Sequence, residues 1–179
     1  MATMIDPTRN HFELFGLPQR YRHDGAELER AYRALQSEVH PDRFAGGSEQ
    51  QKRMALQSSA HVNEAYRALK DPVARASYLL GLHGVDALDE TDTALPLDFL
   101  ERQLDRREVA EDAVAARDAR ALAALAGEIR AEIADRETVL AQRLDDERAY
   151  AAARTPVREL QFLTKLAADV DALQATLDD

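Results

Sequence analysis

The stretch Leu28-Glu29-Arg30-Ala31-Tyr32-Arg33-Ala34-Leu35-Gln36-Ser37-Glu38-Val39-His40-Pro41-Asp42 decides the fold of this 179-residue chain. Leu28, Tyr32, Leu35 and Val39 recur at steps of 4, 3 and 4, which puts them on one face of an amphipathic helix. Upstream, Asp24-Gly25-Ala26-Glu27 has the form of a capping box: Asp24 can accept from early backbone N–H groups and Glu27 can reach back. Downstream, Pro41 disfavours helical backbone at His40 and stops the helix there. A polar loop from Asp42 to Ser48 follows, with Gly46-Gly47 inside it. A second helix is expected from about Glu49 to Lys70, with Ala55, Val62, Ala65, Tyr66 and Leu69 as its apolar stripe. Two amphipathic helices joined by so short a loop fold back as an antiparallel hairpin.

Short elements flank the hairpin. Phe12, Leu14, Phe15 and Leu17 form a short apolar helix that Gly16 and Pro18 bring to a stop. Asp71-Pro72 caps one helix end and opens another short helix containing Tyr78, Leu79 and Leu82. Helical periodicity then lapses from His83-Gly84-Val85-Asp86 to Thr93-Ala94-Leu95-Pro96, where Gly, Thr, Asp and Pro collect. Three helices are expected beyond. Asp98 and Glu101 cap the first, which carries Phe99, Leu100, Leu104 and Val109. Asp118 suits the N-cap of the second, along which Leu122, Leu125, Ile129, Ile133, Leu140 and Leu144 recur. Thr155-Pro156 opens the third with a cap and a first-turn proline, and Leu163, Leu166, Val170, Leu173 and Leu177 form a 3-4 seam along it. Strand signals are nearly absent. The reading is all-α: an antiparallel helical hairpin with short flanking helices over residues 1–82, a linker over 83–97, and a three-helix bundle over 98–179.

Composition separates the same two parts. The chain has 33 acidic and 23 basic side chains, a formal net charge of -10, and no cysteine or tryptophan. Residues 1–83 carry 11 Lys/Arg against 10 Asp/Glu, net +1, whereas residues 84–179 carry 12 against 23, net -11. All five histidines lie in the first part. So acidic a chain is a poor binder of nucleic acid, which needs cations against phosphates. Without cysteine there is no disulfide, no thiolate nucleophile and no Cys-based metal site. His11, His23, His61 and His83 share no metal-ligand spacing, and Asp145-Asp146-Glu147 lacks the glycine-containing spacing of a calcium loop, so no metal and no cofactor are expected. No apolar run approaches the roughly 20 residues that span a bilayer, and Met1 to Phe15 lacks a basic-then-apolar leader pattern. A soluble cytoplasmic protein with no membrane partner is the expectation.

The chemistry concentrates at the corner of the hairpin. Proline fixes the backbone where the helix ends, so His40 and Asp42 are held rigidly and can make directional, charge-assisted hydrogen bonds with a partner. No nucleophile, metal set or oxyanion donors stand nearby, which points to recognition and not turnover. The plainer reading is that Asp42 caps the loop and Pro41 ends the helix. As a bare tripeptide His-Pro-Asp arises by chance at about 1 in 8,000 positions; its setting between two amphipathic helices is what makes it specific.

In that setting the sequence resembles the J-domain of Hsp70 co-chaperones, over about residues 10–80. The resemblance rests on His11-Phe12-Glu13-Leu14-Phe15-Gly16-Leu17-Pro18, Tyr32, Leu35, His40-Pro41-Asp42-Arg43-Phe44 and Asn63-Glu64-Ala65-Tyr66-Arg67-Ala68-Leu69. Further stretches extend it nearly end to end: Tyr78-Leu79-Leu80-Gly81-Leu82-His83-Gly84, then Phe99-Leu100, Gln103-Leu104 and Arg107-Glu108, then Leu160-Gln161-Phe162-Leu163-Thr164-Lys165-Leu166. These resemble the HscB family, the J-type co-chaperones of bacterial iron–sulfur cluster assembly. The resemblance implies a J-domain that stimulates a specialised Hsp70 (HscA) and a C-terminal three-helix bundle that delivers the scaffold protein IscU. It implies Hsp70 contacts at His40, Pro41 and Asp42, with positive charge from Arg30, Arg33 and Arg43, helped by Arg22, Lys52 and Arg53. Glu27, Glu29 and Glu38 dilute that basic face, and a merely solvated face is the plainer reading of each arginine.

On the acidic half, Leu100, Leu104, Asp105, Glu108 and Asp112 fall largely on one broad helix face. Phe162 lies off the 3-4 seam of the last helix and is therefore expected outside the bundle core. The resemblance implies that these six positions dock the scaffold. Glu101 stands where the family often has an apolar methionine, which would shrink the apolar contact. Core packing is the alternative for Leu100 and Leu104, and helix solvation for the carboxylates. Other functions stay open at the level of sequence: a J-domain protein with a different client, a structural protein whose 3-4 seams form intermolecular coiled coils, or a hydrolase using a His40–Asp42 dyad, which lacks a Ser or Cys partner at recognisable spacing. A monomer is expected, since the Thr155-Pro156 turn and short connections favour packing within the chain.

Overall fold

The computed structural model describes residues 6, 8–89 and 94–178, and among these there is no β-strand. Among the described residues seven α-helices run in the order α1 His11–Phe15, α2 Gly25–Val39, α3 Glu49–Lys70, α4 Pro72–Leu82, α5 Leu97–Ala115, α6 Ala119–Ala141 and α7 Tyr150–Asp178. A 3-10 turn, Pro41–Phe44, follows α2, and a π-helical turn, Gln142–Asp146, follows α6. The chain divides into two compact units, Met1–Leu79 and Leu80–Asp179. Among the described residues no helix is long and apolar enough to cross a membrane. Of the stretch that loses periodicity, residues 90–93 lie outside the described residues.

In the first unit α2 and α3 form the antiparallel hairpin. Tyr32 Oη donates to Asn63 Oδ1 at 2.9 Å, while His23 Nε2, before α2, lies 3.0 Å from the carbonyl of Leu69, near the end of α3. Leu28 and Val39 from α2 and Ala55, Val62, Ala65 and Leu69 from α3 are buried, as the apolar stripes require. Phe12, Leu14 and Phe15 of α1 are also buried. Two helix starts carry side-chain caps that the sequence analysis does not single out. Asn10 with Glu13, and Ser48 with Gln51, form reciprocal capping boxes. Asp24, in contrast, accepts from Ala26 N–H at 2.8 Å but is not joined by Glu27. Gly16 ends α1 at φ 66°, a left-handed conformation that glycine adopts without a Cβ clash.

The second unit contains a three-helix bundle of α5, α6 and α7. Its core joins Phe99, Ala110 and Ala113 of α5, Leu122, Leu125, Ala126 and Ile129 of α6, and Leu163, Leu166 and Val170 of α7, with Leu173 and Leu177 packed against it. The 3-4 seam of the last helix is thus consumed inside the bundle. Asp118 caps α6 by accepting from Ala121 N–H at 2.9 Å.

Two expected helix starts are corrected. α5 begins on Pro96 without any side-chain cap, and Asp98 instead lies 3.5 Å from Arg102, one turn on. α7 does not start at Thr155-Pro156; it starts at Tyr150, and Pro156 lies inside it. The reason is burial. Ala153, Val157, Leu160 and Leu163 form one continuous buried face that runs across the proline, and packing overrides the loss of one backbone hydrogen bond.

The bundle also holds a largely buried ion network unmarked by any motif. Glu132 of α6 contacts Arg106 of α5 at 2.6 Å and Arg136 at 3.2 Å, and Arg136 reaches Glu159 of α7 at 2.6 Å. Burial pushes the Glu159 carboxyl above its ordinary range; Arg136 opposes that shift and Glu132 adds to it. The Coulomb attraction in such a network is largely offset by the cost of taking its charges out of water.

Candidate interaction sites

The first site is the corner between α2 and α3. His40 ends α2 and also caps the 3-10 turn, its Nδ1 accepting from Asp42 N–H at 3.3 Å. An accepting Nδ1 leaves the ring proton on Nε2, so an N–H donor is free to face a partner. The capping duty that a plain reading gives to Asp42 therefore falls to His40. The Asp42 carboxylate is 90% exposed, with one oxygen 3.5 Å from His40 Nδ1. Pro41 occupies the first position of the turn, where its missing N–H leaves no bond unmade.

Two of the three candidate arginines flank this corner. Arg33, Gln36, Ser37, His40 and Arg43 line one open hollow on the surface. Arg43 Nη1 donates back to the Ser37 carbonyl at 3.2 Å, which satisfies an end carbonyl of α2 and sets the guanidinium beside the imidazole. Arg33 is exposed and pairs with Glu29 at 2.9 Å. Arg30 is exposed one turn earlier on α2 and does not line the hollow. Glu29 itself is engaged by the Tyr66 hydroxyl and by Arg33, which together hold its carboxyl below the ordinary range. Its charge is thereby drawn toward α3, where Tyr66 stacks on Tyr32 at 4.0 Å between ring centres. Gln36 and Ser37 are lining residues that sequence reasoning missed. Their spacing of three and four from His40 and Arg33 was the available signal.

The second site is on α5. Leu100 and Leu104 are exposed, at 36% and 60%, which removes the core-packing alternative for both. Asp105, Glu108 and Asp112 are exposed on the same side of the helix, as is Glu101. None of these four carboxylates has an ion-pair or hydrogen-bond partner among the described residues. Leu97 at 71% extends the apolar strip toward the helix start. Phe162 is not one of the buried core residues, as its place off the seam implies, but it is not a free surface residue either. It packs partly buried against the bundle core, edge-on to Phe99 with ring centres 5.8 Å apart, and the Arg107 guanidinium lies 5.6 Å from its ring centre. One outer position on α7 is enough to reach α5, because Phe99 projects toward it. Arg107 was missed as a site neighbour; a cation over an aromatic ring leaves no sequence signature across 55 residues.

The remaining histidines have structural partners. His11 stacks on Tyr78, His23 lies against Leu69 O and Arg75, and His83 stacks on Tyr150. No group of three or more His, Asp or Glu able to hold a metal occurs among the described residues.

Comparison with known proteins agrees with this two-part layout. The family model of the DnaJ domain matches residues 10–78, and that of the HSCB C-terminal oligomerisation domain matches residues 95–171. A co-chaperone protein HscB homolog of Burkholderia multivorans is 47% identical over 169 residues, covering 94% of this chain and 96% of that one. The solved structure of chaperone HscB from Vibrio cholerae superposes with a TM-score of 0.85 at 37% identity, covering 94% of this chain and 99% of that one. The crystal structure of human co-chaperone protein HscB gives a TM-score of 0.83 at 26% identity, over 93% of this chain and 83% of that one. With a J-domain and an HscB-type C-terminal bundle matched over most of its length, the chain belongs to the HscB family of J-domain co-chaperones.

Proposed function

We propose that the chain brings an iron–sulfur cluster scaffold protein of the IscU type to a specialised Hsp70 of the HscA type and stimulates that chaperone's ATPase. It works in the cytoplasm, as a monomer, by recognition and not by turnover. The J-domain meets the Hsp70 through His40, Pro41 and Asp42, with Arg30, Arg33 and Arg43 supplying positive charge. The bundle meets the scaffold through Leu100, Leu104, Asp105, Glu108, Asp112 and Phe162. One chain that holds both proteins raises the effective concentration of one at the other.

The observation that carries this reading is the state of the hairpin corner. Asp42, relieved of capping by His40, presents a solvent-facing carboxylate next to an imidazole that shares one hollow with the Arg33 and Arg43 guanidinium groups. On the bundle the support is the exposure of Leu100 and Leu104 among unpaired carboxylates. The chain supplies no cysteine ligands, so it acts on the scaffold and does not carry a cluster. An oligomeric coiled coil is disfavoured because the α7 seam is already buried within the bundle.

Titration calorimetry against a purified scaffold protein tests the docking surface. Replacing Leu100, Leu104 and Phe162 together by alanine is expected to weaken binding by about tenfold or more, since anchor side chains dominate such interfaces. Equal affinity for wild type and the triple variant would remove the scaffold from this face.

A further inference from the structure

On its α6 side, α5 borders a second surface that the docking reading does not include. A groove runs between the two helices, with Val109 of α5 and Ala121, Ala124 and Leu125 of α6 as its apolar floor. Val109 is 47% exposed, next to Leu125 of the bundle core in the groove lining. The two alanines keep the groove open, since any longer side chain there would fill it. Asp105 and Glu128 stand on opposite rims. Both carboxylates are exposed and have no partner among the described residues. Arg106, the one cation among the described lining residues, does not neutralise them: it is turned inward, 2.6 Å from Glu132 and 3.0 Å from Gln103 Oε1.

We infer that this groove takes a Lys- or Arg-flanked aliphatic segment of the same client that covers Leu100 and Leu104, so that the client grips α5 from both sides. The inference rests on the docking reading above. Charge complementarity selects the occupant: two unpaired carboxylates face each other across an aliphatic floor, in a half of the chain with net charge -11. Continuity places it on the same partner, because Asp105 belongs both to the exposed α5 face and to the groove rim. A client lying on Leu104 therefore meets Asp105 first and Val109 next.

The test uses the full chain and a purified scaffold protein. Glu128→Lys reverses one rim charge, and Ala124→Arg fills the floor at an exposed helical position where both residues are good helix formers. Thermal melts establish that each variant is folded. Each substitution is expected to weaken scaffold binding about tenfold at low salt, with the Glu128→Lys effect shrinking as salt rises. Titrating the isotope-labelled chain with scaffold should also shift the backbone amides of Ala121, Ala124 and Glu128. If Leu100→Ala/Leu104→Ala weakens binding while both groove variants bind like wild type and amide shifts stop at α5, the groove is not occupied and the docking reading stands. If Leu100→Ala/Leu104→Ala also binds like wild type, the docking reading falls and the groove assignment with it.

Discussion

His11 shows what a single residue contributes in the J-domain. Its ring stacks on Tyr78 at 4.1 Å between centres and meets His61 edge-on at 5.8 Å, while its backbone N–H donates to Tyr78 Oη at 3.0 Å. The ring thus ties the start of α1 to α3 and α4. Burial is the main cause holding its pKa below 6.5, the neighbouring His61 adds to the shift, and Glu64 opposes it. The sign follows from linkage. Above the ordinary value both folded and unfolded chains hold a neutral ring, and the packing is retained in full. As pH falls through that value toward the lower folded pKa, the unfolded chain takes the proton first and stability is lost. The unfolding midpoint is expected to drop between about pH 7 and about pH 5, and to drop less in His11→Phe, which keeps a ring against Tyr78. A parallel fall in both proteins would show that His11 is not the group responsible. At this scale the sequence was legible where backbone chemistry decides. Pro41 ends α2 at His40 as a proline must. It was not legible where two side chains compete for one role: that His40 and not Asp42 caps the turn depends on a contact of 3.3 Å, which spacing alone does not express.

Among the elements, α7 carries the clearest conflict between local preference and packing. Thr-Pro is a common helix opening, and the sequence reading placed the start there. The helix instead continues through Pro156 because its buried face begins at Ala153. Proline has no N–H, so the carbonyl of Ala152 lacks its intrahelical donor. Pro156→Ala restores it and is expected to raise the unfolding free energy by about 1–3 kcal/mol, part of the helix cost being offset by lost ring packing. Denaturant unfolding measures this; a lower midpoint for the alanine variant would mean that ring packing outweighs the backbone bond. Helix limits set by breakers and periodicity were read closely: α3 spans Glu49–Lys70, as its stripe predicts. Starts that depend on which carboxylate reaches which N–H were read unevenly: Asp24 and Asp118 do cap α2 and α6. Asp98 pairs with Arg102 instead of capping α5. The Arg106–Glu132–Arg136–Glu159 network was invisible for a related reason. Its members come from three helices, and only the bundle geometry brings them together.

For the whole molecule, net charge is informative only once it is divided. A near-neutral hairpin with Arg33 and Arg43 beside His40, and a region of net charge -11 in which Glu101, Asp105, Glu108 and Asp112 of α5 are unpaired among the described residues, are two surfaces of different charge. Leu100 and Leu104 illustrate the limit of the sequence at this level. Helical periodicity put them on one face but could not say whether that face turned inward, and the packing of Phe99, Ala110 and Ala113 against α6 and α7 decides that it turns out. The proposed function depends above all on the hairpin corner driving an Hsp70. Steady-state ATP hydrolysis by an HscA-type Hsp70, followed with the full chain in the presence and absence of scaffold protein, addresses it most directly. Stimulation by the wild-type chain, a further increase with scaffold, and loss of both in a folded Asp42→Asn variant are expected. No stimulation by wild type, or equal stimulation by Asp42→Asn, would contradict the proposed function.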